Sequence, residues 1–303
     1  MADIFTNARQ RFQTGSILTK FIFINVGIFV LIRIIMVIMK LFLRDAGAHF
    51  YLEMPSSPIL LLHRPWTLIT YMFVHFDFLH ILFNMLWLYT FGRIFLMFFT
   101  GRQLGGLYIL GGIAGGVFFL LAYNIFPYFR TVSDSSYLVG ASASVMAIVF
   151  AVSFYQKNYE LNLLFLGRLK LIYLAIGALL IDIFAMASEN AGGHIAHIGG
   201  ALFGILFATS YQKGKDITGF INRLIDRFVN LFKKEREPKF KVYENKNYKA
   251  DTAYRRPETD DEYLRRKHAE EQEIDKILDK LKRSGYESLS SEEKKTLFNA
   301  SKK

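Results

Sequence analysis

Residues 193–204 read GHIAHIGGALFG, inside an apolar run that continues to Tyr211. Gly200 and Gly204 are four residues apart, so on a helix they share one face. A Gly-x-x-x-Gly face lets a neighbouring backbone approach closely in lipid. His197 precedes Gly200 by three residues and falls on the same closely packing side. An imidazole within a membrane is costly to place and marks a functional position. The stretch therefore predicts a tight bundle of membrane helices with a polar group turned into it.

The rest of the chain supports that fold class. Of 303 residues, 52% are hydrophobic and 16% aromatic, with 30 Phe, which is too apolar for an ordinary soluble domain. A hydrocarbon core of about 30 Å needs about 20 apolar residues per helix. Six segments qualify: Ile17–Leu43, Phe78–Phe99, Leu104–Phe126, Tyr137–Tyr155, Leu169–Ala187 and Gly193–Tyr211. The first is too long for a signal-peptide core and has no small-residue cleavage site after it, so it is expected to remain as a span. Gly105, Gly106, Gly111, Gly112, Gly115 and Gly116 crowd the third segment, as close helix contact requires. The expected fold is all-α: a membrane protein of six transmembrane helices, with a mostly disordered tail ending in a short helix pair.

Lys and Arg set the orientation. Arg9, Arg11, Lys20, Arg102, Lys157, Arg168, Lys213 and Lys215 all fall on one side of six spans. That side is expected to be cytoplasmic, with both termini inside. The first opposite loop, Arg44 to about Asp77, is long, aromatic and broken by Pro55, Pro58 and Pro65. Either partial embedding in the membrane or an ordinary surface loop fits it. The domain reading is 1–16 as an N-terminal cytoplasmic segment, 17–211 as the six-helix domain, 212–261 as a linker and 262–303 as a helical pair.

Within the tail, Ile217 to Phe232 carries Arg223 and Arg227 among apolar residues and fits an amphipathic helix along the inner leaflet. Glu235 to about Asp261 is charged and holds Pro238 and Pro257, as a disordered linker would. Ile274, Ile277, Leu278 and Leu281 have helical spacing, Ser284-Gly285 is a stop, and Ser290 with Glu293 forms a capping box. From Gln212 on there are 24 Lys and Arg against 18 Asp and Glu. This basic balance fits a face near anionic lipid, and no stacking motif for nucleic acid accompanies it.

There is no cysteine, which excludes disulfides, thiolate metal sites and Cys nucleophiles. Three polar groups remain inside apolar segments. Leu138–Ala147 reads LVGASASVMA, with Ser142 after Gly140. A membrane-helix serine often does no more than hydrogen-bond a backbone carbonyl. Pressed against the His197 helix, however, Ser142 Oγ comes within reach of an imidazole, as nucleophile activation needs. His194 and His197, at i and i+3, have a rival use as metal ligands, although no third ligand stands out. His80 and Asn84, at i and i+4, face one way and present donors suited to an oxyanion, or else steady each other in the bundle. A transporter would carry inverted repeats and charges along a pathway. No repeat is evident, and Arg33 and Arg93 are the clearest mid-span charges.

Together, His80-x-x-x-Asn84, Gly140-x-Ser142 and Ala196-His197-x-x-Gly200-x-x-x-Gly204 resemble the rhomboid family of intramembrane serine proteases. They lie on the second, fourth and sixth segments, in the family's order. The resemblance covers about Ile17 to Tyr211 and also takes in WTLITYMFVHFDFLHILF, residues 66–83. It implies a bacterial-type protein of the inner membrane with a cytoplasmic extension. It implies a Ser142–His197 dyad without an acidic member, so Asp182 and Glu189 are left as loop or helix-end charges. His80, Asn84 and the Ser142 N–H would hold the oxyanion. Gly140, Gly200 and Gly204 would serve packing and turning. No metal or cofactor is implied. The substrates would be transmembrane proteins, cut near the outer end of their span. The alternative is a non-proteolytic relative that binds or escorts membrane proteins. Three positions depart from the family: Met146 replaces an aromatic that stacks on the histidine, Phe95 a structural glutamate, and Thr67 the arginine of Trp-Arg.

Overall fold

The computed structural model describes residues 10, 12, 14–42, 51–131, 136–163, 167–186, 190–232 and 260–300. They fall in two compact units, Met1–Glu235 and Arg236–Lys303.

The larger unit is a helical bundle. Its helices are α1 (Ile17–Leu41), α2 (Phe78–Phe98), α3 (Gly101–Ile125), α4 (Ser142–Tyr155), α5 (Leu171–Ala185) and α6 (Ala191–Gln212), followed by α7 (Gly219–Phe232). Polar residues start the long helices by accepting otherwise unpaired first-turn N–H groups. Ser16 accepts from Thr19 N–H at 3.3 Å and Asp77 from Leu79 N–H at 3.4 Å. Thr100 and Gln103 form a reciprocal capping box. Among the described residues, α1, α2, α3 and α6 are long and apolar enough to cross a bilayer. The chain is an integral membrane protein.

The fourth and fifth expected spans are shorter than the sequence reading drew them. At 14 and 15 residues, α4 and α5 rise only about 21 and 23 Å, against a hydrocarbon core of about 30 Å. Tyr137 and Leu138 lie outside the helix. They form a strand, β2, paired antiparallel with β1 (Met54–Pro55). The nucleophile candidate thus stands at a helix start set back within the bundle.

Glycines set the spacing of the central helices. A Cβ at Gly200 would overlap the Ala143 carbonyl, and one at Gly204 the Ala147 carbonyl, so α6 lies directly on the backbone of α4. A Cβ at Gly115 would come within 2.5 Å of the Ala143 side chain and 2.8 Å of Ala196 O. Three helix backbones therefore meet at distances that only small residues allow. Large apolar side chains such as Leu31, Ile34 and Val37 on α1 face outward, where lipid is their solvent. Phe95, the departure noted above, is fully buried, stacked on Phe99 at 4.4 Å and beside Phe207 at 5.8 Å.

The α1–α2 connection is no ordinary surface loop. Met54, Pro55, Thr67, Tyr71, Met72 and His75 are buried in protein. Tyr71 donates its hydroxyl to Gly112 O at 2.6 Å, and Tyr108 donates to Met72 O at 3.0 Å while accepting from Asn25 at 3.2 Å. These bonds satisfy polar groups where water cannot. They tie the connection to α1 and α3.

Helix α7 is the amphipathic helix expected within residues 217–232 of the linker stretch, and it docks on the N-terminal part of α3. Arg102 Nη2 donates to both Asp226 carboxylate oxygens at 2.8 and 2.9 Å, and Gln103 donates to Asp216 at 3.1 Å. Gly106 sits so close to Thr218 that a Cβ there would come within 2.7 Å of it. Burial would raise the Asp216 carboxyl, but hydrogen bonds from Thr218 and Gln103 outweigh it and hold the group below its ordinary range. A depressed folded value means the contribution is complete above the ordinary carboxylate range and is lost as pH falls through the lowered value. Amide protection over 219–232, measured relative to the intrinsic exchange rate at each pH, should therefore hold from neutral pH down and fall only below about pH 4. Loss of protection starting near pH 6 would show that another group holds α7.

The smaller unit contains the expected helix pair, α8 (Asp260–Ser284) and α9 (Ser291–Ala300). Gly285, at φ +75°, ends the first helix. Ser290 N–H donates to Glu293 at 2.6 Å and Glu293 N–H to Ser290 Oγ at 3.2 Å, completing the capping box. Of the apolar stripe, Ile277 is buried and Leu278 is 44% exposed. The linker expected from Glu235 to Asp261 lies almost wholly outside the described residues.

Candidate active site

Four local arrangements build the site. The first is the start of α4. Gly140 has φ +110°, in the left-handed region that side chains resist. Its N–H donates to Tyr71 O at 2.9 Å, and the Ala141 N–H donates to His75 Nε2 at 3.3 Å. With β1–β2 pairing just upstream, the turn before Ser142 is held by the α1–α2 connection. Ser142 then opens a helix whose first N–H groups have no intrahelical acceptor and favour negative charge nearby.

The second arrangement is on α2. Asn84 is buried and donates to His80 O at 3.0 Å. The His80 ring packs against Gly140: a Cβ there would lie 2.7 Å from both Cε1 and Nε2. His75 stands edge-on to His80, with ring centroids 5.0 Å apart.

The third is on α6, where the glycine face brings His197 alongside α4. The fourth is on α5. Asp182 Oδ1 lies 2.7 Å from His197 Nδ1 and 2.8 Å from His194 Nδ1. The Asp182 side chain is 7% exposed, and those of His194 and His197 are 17% and 19% exposed.

These pieces face one partly open cavity of about 610 Å³, lined by His80, Asn84, Ser142, Met146, Asp182 and His197 among others. Much of its remaining lining comes from the N-terminal half of α2, the N-terminal end of α6 and β2, with Val145 of α4 and Ala178 and Ile181 of α5 completing it. That is the end of the bundle away from Arg102 and Lys213. The volume accommodates roughly 20 waters at about 30 Å³ each. The structure thus brings together the four polar residues singled out from the sequence. No hydrogen bond joins Ser142 Oγ to His197 among the described residues.

Two sequence readings need correction. Asp182 stands in the last turn of α5, but it is no solvated charge: it is buried and receives both imidazoles. A third potential metal ligand also exists, since Asp182, His194 and His197 offer ligand atoms within 4.8 Å of one another. An acid within an apolar helix was the available signal. Its partners lie 12 and 15 residues away on another helix, beyond what periodicity relates. His75 was also missed, because nothing in its sequence spacing shows that it meets Ala141. Glu189 lies outside the described residues.

Asn84→Ala removes a donor from the cavity without disturbing α4. If Asn84 serves a developing oxyanion, cleavage by the variant should fall about 10²-fold at unchanged substrate binding. A loss confined to thermal stability would assign Asn84 to packing alone.

A partly open cavity among membrane helices, with a helix-terminal serine and an imidazole on its wall, belongs to a polytopic membrane protein. The Rhomboid domain family model matches residues 62–213, half of the chain, and the protein belongs to the rhomboid family. It is similar to RHOMBOID-like protein 12, mitochondrial, from Arabidopsis thaliana, at 29% identity over 161 residues. That match covers 50% of this chain and 48% of the relative, so the chain spans about half the length of the curated relative it matches. Residues 258–303 match a family of unknown function, DUF6576.

Proposed function

We propose that this protein is an intramembrane serine endopeptidase that cleaves transmembrane proteins near the outer end of their span. The observation that carries the reading is the convergence of Ser142, His197, His80 and Asn84 on one cavity within the bundle. Ser142 Oγ attacks the scissile carbonyl carbon while His197 takes the hydroxyl proton. The carbonyl oxygen becomes an oxyanion, met by the Ser142 N–H, His80 and Asn84. His197 then gives its proton to the leaving nitrogen as the C–N bond breaks, leaving an acyl-serine. Water from the cavity attacks that ester, His197 takes its proton, and the regenerated serine leaves a free carboxylate. Met146 on the cavity wall packs where relatives carry an aromatic.

The basic residues Arg102, Lys157, Lys213 and Lys215 belong on the cytoplasmic side in this reading, with both termini inside and the cavity toward the outer face. A bacterial plasma membrane is the setting that accords with it.

The test uses the full chain in bilayers with a fluorophosphonate probe. Peptide mapping should find the label on Ser142, and a transmembrane substrate should be cut. A non-proteolytic escort protein predicts neither. Absence of both label and cleavage would sink the protease reading.

A further inference from the structure

The cavity contains one strong interaction that a two-residue mechanism does not use. Asp182 lies on α5, whereas both histidines lie on α6. Its Oδ1 meets His197 Nδ1 at 2.7 Å and His194 Nδ1 at 2.8 Å. A carboxylate removed from water is stable only when hydrogen bonds replace its hydration. Two imidazole N–H groups on a single oxygen supply that replacement. They also fix where the carboxylate points, because movement toward one ring lengthens the bond to the other.

On this basis we infer that Asp182, clamped by His194, is a positioning residue for His197. The inference rests on the protease reading above and adds a third member to its machinery. With Nδ1 bonded to a carboxylate, the ring proton resides on Nδ1, and Nε2 is left as the basic nitrogen. Nε2 takes the Ser142 proton and later gives it to the leaving amine. Asp182 remains a carboxylate throughout. Its negative charge stabilises the imidazolium, and its hydrogen bond holds the ring plane.

His194 has a separate task. It lies one helical turn before His197 and lines Asp182 from the other side, with ring centroids 5.8 Å from His197. It reaches the base through the shared oxygen and through this edge-to-face ring contact.

The test compares wild type with Asp182→Asn, Asp182→Glu and His194→Asn as full chains in bilayers, reading kcat, KM and the rate of fluorophosphonate labelling. Asp182→Asn keeps the shape but favours the wrong tautomer. It should lower kcat by about 10²-fold or more, with KM within twofold. The labelling rate at Ser142 should fall in parallel, since it depends on the base and not on substrate. Asp182→Glu restores the charge and should recover part of the loss. His194→Asn leaves His197 intact but loosens Asp182, and should cost roughly tenfold in kcat at unchanged KM. It also serves as the second variant if Asp182→Asn aggregates.

Wild-type kcat and labelling in both Asp182→Asn and His194→Asn would overturn the inference while leaving the protease reading intact. Loss of cleavage on chelation with recovery on added Zn²⁺ would also overturn it, because the three groups would then hold an ion. A wild-type protein that neither labels nor cleaves removes the protease reading and this inference together.

Discussion

Ser142→Ala is expected to lower turnover of a transmembrane substrate by about 10⁶-fold, leaving only the residual rate that oxyanion donors and binding supply. The size follows from what is removed. Ser142 lies on the wall of the cavity that His197 also lines, at the first position of α4. Alanine is a better helix former than serine, and the change leaves the helix start and the cavity shape in place. Folding and substrate affinity should therefore persist while chemistry disappears. Ser144 supplies the internal control. Two residues along a helix is more than half a turn, so its hydroxyl points away from the cavity toward Gly112 of α3, where a Cβ would lie 2.6 Å from Ser144 Oγ. That hydroxyl is buried without a hydrogen-bond partner among the described residues. Ser144→Ala removes an unpaired polar atom and should keep most of the activity, with stability unchanged or raised. Activity within tenfold of wild type in Ser142→Ala would end the nucleophile assignment, whatever Ser144→Ala does.

The second large effect comes from one methyl group on a residue that takes no part in the chemistry. Gly200→Ala places a Cβ into the carbonyl of Ala143, the residue next to Ser142. Backbone cannot rotate away as a long side chain can, so α6 must separate from α4. His197 is three residues upstream on α6 and moves with it. Overpacking of this kind costs about 1–3 kcal/mol of stability. A displacement of about 1 Å between base and nucleophile costs roughly 10²-fold in rate. Gly204→Ala should behave similarly through Ala147. Gly177→Ala on α5, where a Cβ meets nothing within 4 Å, is the matched control and should be neutral. The readouts are kcat and thermal unfolding of each variant in the same bilayers. Gly200→Ala with reduced stability but full activity would break the link between helix spacing and the Ser142–His197 approach.

Some of this architecture is legible along the chain, and the reason is local. The bilayer sets a length scale of about 20 residues, so hydropathy alone marks α1, α2, α3 and α6. The Gly-x-x-x-Gly face, the i to i+4 pairing of His80 with Asn84, and the Ser290–Glu293 capping box are relations within one helix turn. Helical geometry therefore determines them before any tertiary contact forms.

Relations between elements depend on the folded bundle. Ser142 stands set back within the bundle because β2 pairs with Met54–Pro55 and Gly140 donates to Tyr71, contacts across more than 60 residues of chain. Asp182 reads as a stray charge until α5 lies against α6 and two imidazoles reach it. Residues 219–232 read as an amphipathic helix, but that it docks on α3 follows only when Asp226 meets Arg102. The sequence by itself determined which segments enter lipid and which polar residues they carry, because transfer free energy and helix period act on short windows. Only the tertiary structure decided which of those residues meet, because a buried polar group finds its partner across helices and no periodicity encodes that pairing.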